Sequence, residues 1–167
     1  ELKEVPAGER VGYAVRRLTA LSDAMPGVRT MAWLDARARV LAANRPDLIG
    51  MDVSSREYVQ RLRDRRDPDQ LHLSPPFRTA LGIYSMNLSI VVLDAEGGQA
   101  GVLTATLDPD YFGVMLSSTR YADDVWAGLA HGEGLFAMVE PPMPEVLGRN
   151  LDEPGSMFRR HRESGQA

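Results

Sequence analysis

The sequence predicts an α+β domain in which consecutive antiparallel strands form a sheet and helices lie at its periphery. Three observations predict it. The hydrophobic period switches from three-to-four to two near Gly27. Two pairs of alternating segments are each joined by a short polar turn, at 35–38 and 94–98. Helix-type segments fall before, between and after those pairs, without the strict strand–helix alternation of a parallel sheet. The chain of 167 residues is 44% hydrophobic and 25% charged, the balance of a globular protein with a real core.

The first dozen residues, with Pro6 and Gly8, read as a lead-in. From Glu9 to Ala24 the apolar positions Val11, Ala14, Val15, Leu18 and Leu21, with Met25 beyond, recur at helical spacing, and Pro26-Gly27 ends the helix. Val28–Leu34 alternates as a strand, 35–38 turns, and Arg39–Ala43 returns. Ser54 or Ser55 is the expected cap of a short helix through Tyr58, Val59 and Leu62. The charged run Arg61–Asp69 is expected to be a solvated loop. Tyr84–Leu93 reads as one long strand with Tyr84, Met86, Leu88 and Ile90 on one side and Ser85, Asn87 and Ser89 on the other. Gln99–Leu107 is its partner, and Pro109 opens a helix through Tyr111, Phe112 and Met115. This order is PAS-like. A second hairpin over 124–140 and a helix over 155–164 repeat the opening of the first unit. Three segments are therefore expected: 1–27 as an N-terminal helical segment, 28–116 as a PAS-like module, and 117–167 as a partial second module.

Composition excludes several functions. Lys and Arg total 19 against 23 Asp and Glu, a net charge of -4, so no nucleic-acid partner is expected. There is no cysteine, which removes disulfide scaffolds, thiol nucleophiles and Cys metal sites. His72, His131 and His161 are too far apart in sequence to make ligand spacing, so no metal is expected. No nucleophile elbow, phosphate-binding loop or dinucleotide fingerprint is present, and the fragment is not expected to be an enzyme. No apolar run reaches membrane-spanning length. The chain opens at Glu1 without a methionine, as expected of a piece excised from a longer protein.

Taken in order, Met25-Pro26-Gly27-Val28-Arg29, Trp33-Leu34-Asp35, Leu48-Ile49-Gly50-Met51-Asp52-Val53, Arg56-Glu57-Tyr58, Leu73-Ser74-Pro75-Pro76 and Leu107-Asp108-Pro109-Asp110-Tyr111-Phe112 carry a resemblance. They resemble the Cache (PDC, extracytoplasmic PAS-like) sensor domains of bacterial histidine kinases and diguanylate cyclases, double-Cache type, over roughly residues 10 to 160. Gly134–Glu140 and Val146–Leu151 look like the start of a second module that stops before its long strands. The usual glycine-bearing first turn is Asp35-Ala36-Arg37-Ala38 here. The resemblance implies a periplasmic or extracellular domain between transmembrane helices, which binds an organic acid, amino acid or amine and signals to a cytoplasmic kinase or cyclase. The amphipathic helix from Glu9 to Ala24, packing against its copy, is expected to make the full-length protein a homodimer. Two rival readings are a ligand-free dimerisation or spacer module, and a cytosolic PAS-type domain with haem or flavin. No cofactor is expected under the leading reading.

Six residues are candidates for the ligand. Arg56 and Arg78 could fork a carboxylate, or be solvated or paired with nearby carboxylates. Tyr58 and Tyr84 could line a pocket with a hydroxyl tip, or be core aromatics. Asn87, with Ser85 and Ser89, either lines the cavity or faces solvent, and the alternation by itself favours solvent. Asp108 could hold an ammonium group, but its place just before Pro109 favours a helix cap.

Overall fold

The computed structural model describes residues 5–79 and 82–165; residues 1–4 of the expected lead-in lie outside them. The chain forms two compact units: Glu1–Ser74 with Asn87–Leu107, and Pro75–Met86 with Asp108–Ala167. These bounds differ from the segments read off the sequence. The N-terminal helix belongs with the first sheet, whereas 75–86 and the helix at Pro109 belong to the second unit.

In the first unit, helix α1 (Arg10–Asp23) precedes strands β1 (Val28–Asp35) and β2 (Val40–Ala43), and the short helix α2 (Glu57–Gln60) follows. Then come β3 (His72–Leu73), β6 (Asn87–Leu93) and β7 (Gln99–Leu107); β4 (Phe77–Arg78) and β5 (Tyr84–Ser85), which lie between β3 and β6 in the chain, are in the other unit. The sheet order is β2-β1-β7-β6-β3, with every pair antiparallel. The PAS-like antiparallel architecture is thus present. α1 covers one face through Ala14 and Leu18, which pack with Ala42, Met31, Trp33 and Leu103. Val11 and Met25, at the ends of the expected apolar stripe, are exposed instead. Ser22, a polar residue of α1 outside that stripe, is buried. Its hydroxyl accepts a 2.9 Å bond from Asn44 Nδ2, while Asn44 Oδ1 accepts from the Met31 amide.

The two hairpin turns share one scheme. Asp35 Oδ1 accepts from the amides of Arg37 and Arg39, and Asp94 Oδ1 from those of Glu96 and Gly98. The third position after each aspartate is left-handed, filled by Gly97 (φ 80°) in one turn and Ala38 (φ 61°) in the other. Neither serine caps α2. Its N-cap is Arg56, without a side-chain cap bond, and the turn before it is held by Asp52 accepting from the Ser54 amide.

The second unit contains β4 (Phe77–Arg78) paired with β5 (Tyr84–Ser85), α3 (Pro109–Thr119), β8 (Ala127–Ala130) paired with β9 (Phe136–Glu140), and α4 (Met157–Ser164). The single long strand expected over 84–93 is two strands in two sheets, parted at Met86. Phe136, Ala137, Met138 and Val139 are all buried, so β9 is covered on both faces. α4 is capped by Ser156, and its Arg159 and Arg162 both pair with Asp152 at 3.0 and 2.9 Å.

Candidate functional site

The face of the first sheet opposite α1 is graded along its strands. Leu34, Val40, Val91 and Val102 form one rung across four strands and pack with Val59 and Leu62 from the α2 region. One step along, the rung is Ala43, Ala32, Thr104, Ser89 and His72, where Ser89 Oγ donates to Thr104 Oγ1 at 3.1 Å. The next brings Thr30, Thr106 and Asn87 into register, and the Asn87 amide donates to Ser74 Oγ at 2.9 Å. Apolar residues therefore give way to small ones and then to polar ones.

The polar end is buried, not solvated. Asn87 is 1% exposed, Ser89 3% and Thr104 6%; Ser85, in the second unit, is 2% exposed. This overturns the solvent-facing reading of Ser85, Asn87 and Ser89. Alternation identifies residues that share a face but is silent about which face is covered. In the first unit, α2 and its flanking loop lie over the serine–asparagine side. There Tyr58 is bonded to the Asn87 side chain, and burial raises its phenol pKa above the usual 10.0, while the nearby Arg56 charge and the Asn87 bond pull it down. Two atoms of this patch, Asn87 Oδ1 and His72 Nε2, are buried without a hydrogen-bond partner among the described residues. A buried polar atom left unpaired costs about 1–3 kcal/mol, so such atoms mark places where another group is wanted.

The fold places this patch in a known context. No protein-family model and no curated protein matches the sequence. Solved structures do match. An extracellular domain assigned to a histidine kinase, rpHK1S-Z16, superposes with TM-score 0.73 at 23% identity, over 89% of this chain and 59% of that one. An extracellular ligand-binding receptor from Desulfohalobium retbaense gives 0.69 at 23% identity, over 92% and 27%. The ligand-binding domain of the Pseudomonas aeruginosa PAO1 amino-acid chemoreceptor PctC, in complex with GABA, gives 0.60 at 16% identity, over 89% and 62%. The chain shares the fold of these extracellular domains. The chain spans less than two thirds of each of these structures.

Within this fold the six candidates separate into two groups. Arg56, Tyr58 and Asn87 belong to the first unit and come together at the polar patch. Arg78, Tyr84 and Asp108 belong to the second. Arg78 is exposed, and its guanidinium carbon lies 4.9 Å from the Tyr84 ring centroid, a cation–π pair. Asp108 is the N-cap of α3, with Oδ1 accepting from the Asp110 amide at 3.0 Å. The residues that sequence reasoning missed are His72, Ser74 and Thr104. β3 has two residues and shows no periodicity, and Thr104 sits in a strand whose hydrophobic signal is dominated by its neighbours. Among the described residues no group of three or more His, Asp or Glu could hold a metal ion, and no helix is long and apolar enough to cross a membrane.

Proposed function

We propose that this chain is the extracytoplasmic sensor portion of a transmembrane signalling protein and that its first unit binds a small amino acid or related molecule on the polar half of the sheet face. The unpartnered Asn87 Oδ1, buried beside Tyr58 on a Cache-type sheet, carries the reading. Asn87 Oδ1 offers an acceptor to a ligand N–H, and His72 Nε2 offers a second polar contact. Arg56 brings a cation suited to a carboxylate. Donor-seeking and carboxylate-seeking groups in one patch match a molecule bearing both an ammonium group and a carboxylate. A Cache-type neighbour solved with GABA supports the same class.

Ligand binding would signal by favouring one arrangement of sheet and helices over another, since only a difference in affinity between states shifts their balance. α1 is the lever. It is tied to the sheet by the Ser22–Asn44 bonds and by Leu18, so a change at β1 or β2 reaches it directly. The full protein would carry flanking membrane helices, pair as a homodimer, and end in a histidine kinase or diguanylate cyclase that holds the enzymatic activity.

Thermal melting against a panel of amino acids, carboxylates and amines tests this. A true ligand at a hundred times its Kd stabilises the fold by roughly 2.7 kcal/mol, and Asn87→Leu abolishes the shift. A flat response over the whole panel overturns the reading in favour of a spacer module, and visible absorbance of the purified protein favours a haem or flavin domain.

A further inference from the structure

The second unit has a cavity of its own, an open groove of about 450 Å³ between α3, β9 and the 141–147 loop. That volume is within the range of small-molecule sites. One stripe of α3, Asp110, Gly113, Val114 and Ser117, forms a wall at i, i+3, i+4 and i+7. Val139, Met143 and Leu147 supply apolar surface opposite.

Two features make this more than a greasy cleft. Gly113 lies in the interior of α3, where glycine weakens a helix relative to alanine. Its backbone needs no left-handed angle, and a Cβ built there would meet only Glu140 Oε2, at 3.9 Å. The missing side chain is therefore not excluded by crowding; it leaves open the floor of the groove where the Glu140 carboxylate lies. The second feature is charge. The described residues lining the groove include the carboxylates of Asp110 and Glu140 and no Lys, Arg or His. Asp110 is in the first turn of α3, where its charge offsets the positive end of the helix. Glu140, half-buried at the end of β9, is left as the charge facing the apolar walls, and a carboxylate in such a setting is stabilised by a cation.

We propose that this groove is a second ligand site, distinct from the polar patch of the first unit, and that it takes a small organic cation: a primary amine on a short apolar chain. The ammonium group pairs with Glu140, and the chain lies along Val114, Val139, Met143 and Leu147 over the Gly113 floor. A carboxylate of the same length is repelled.

Isothermal titration calorimetry with hexylamine and with hexanoate tests the proposal on the intact chain, alongside two variants whose folding is checked by circular dichroism. Hexylamine is expected to bind with one-site stoichiometry and hexanoate not at all. Glu140→Gln keeps the shape, removes the charge and weakens hexylamine about tenfold or more, the size of one charge-assisted hydrogen bond. Gly113→Leu fills the floor, retains the helix and abolishes binding. Absence of hexylamine binding, equal binding of hexanoate, or hexylamine affinity unchanged in Glu140→Gln or in folded Gly113→Leu overturns it.

Discussion

At one end of the inner face of the first sheet, Leu34, Val91 and Val102 are 1%, 1% and 4% exposed and pack against Val59 and Leu62. At the other end, on the same strands, Asn87, Ser89 and Thr104 are 1%, 3% and 6% exposed and meet a tyrosine hydroxyl, a histidine and one another. Depth of burial is equal, and chemistry is opposite. Burying apolar area stabilises a fold at roughly 25 cal/mol per Å², whereas burying paired polar groups contributes about 1 kcal/mol per bond and unpaired ones cost more. The apolar end holds the fold together. The polar end contributes little to stability, and it keeps two buried polar atoms unpaired, Asn87 Oδ1 and His72 Nε2.

This contrast can be broken or sharpened by substitution. Leu34→Ala, in the tightest part of the apolar rung, should lower unfolding free energy by about 2–5 kcal/mol in urea melts. A loss under about 1 kcal/mol would mean that the apolar end is not the structural half. In a double-mutant cycle, Ser89→Ala and Thr104→Val should show a coupling of about 1 kcal/mol for the hydroxyl–hydroxyl bond. Asn87→Leu should change stability by less than about 1 kcal/mol, because it deletes an unpaired acceptor along with one good bond. The same change should remove any ligand-induced rise in Tm. A stability loss as large as that of Leu34→Ala would make Asn87 a structural residue.

The smallest effect is one of pH. The Tyr58 phenol pKa is raised in the folded state by burial, so the folded protein prefers the protonated form. Its contribution to stability is complete below the unfolded value of 10.0 and is lost as pH climbs through the higher folded value. Ultraviolet titration should show a tyrosinate phase above pH 10 that Tyr58→Phe removes. A titration curve unchanged by Tyr58→Phe above pH 10 would place Tyr58 in a wetter setting than the polar patch allows.

Local patterns set a large part of this architecture. The period of Ala14, Val15, Leu18 and Leu21 makes α1, Pro26-Gly27 ends it, Asp35 and Asp94 wrap their turns with the same pair of amide bonds, and Asp108-Pro109 starts α3. Each is a matter of residues within a few positions of one another, so the signal is written in sequence. Tertiary structure alone decided which side of β6 is buried, because that depends on α2 arriving over the sheet from some thirty residues earlier. It alone split 84–93 between two units, since the break at Met86 follows from partners drawn from distant segments. It also set Tyr58 beside Asn87 and Glu140 over Gly113. A period names the residues that travel together along a strand or helix, and only packing says what they meet.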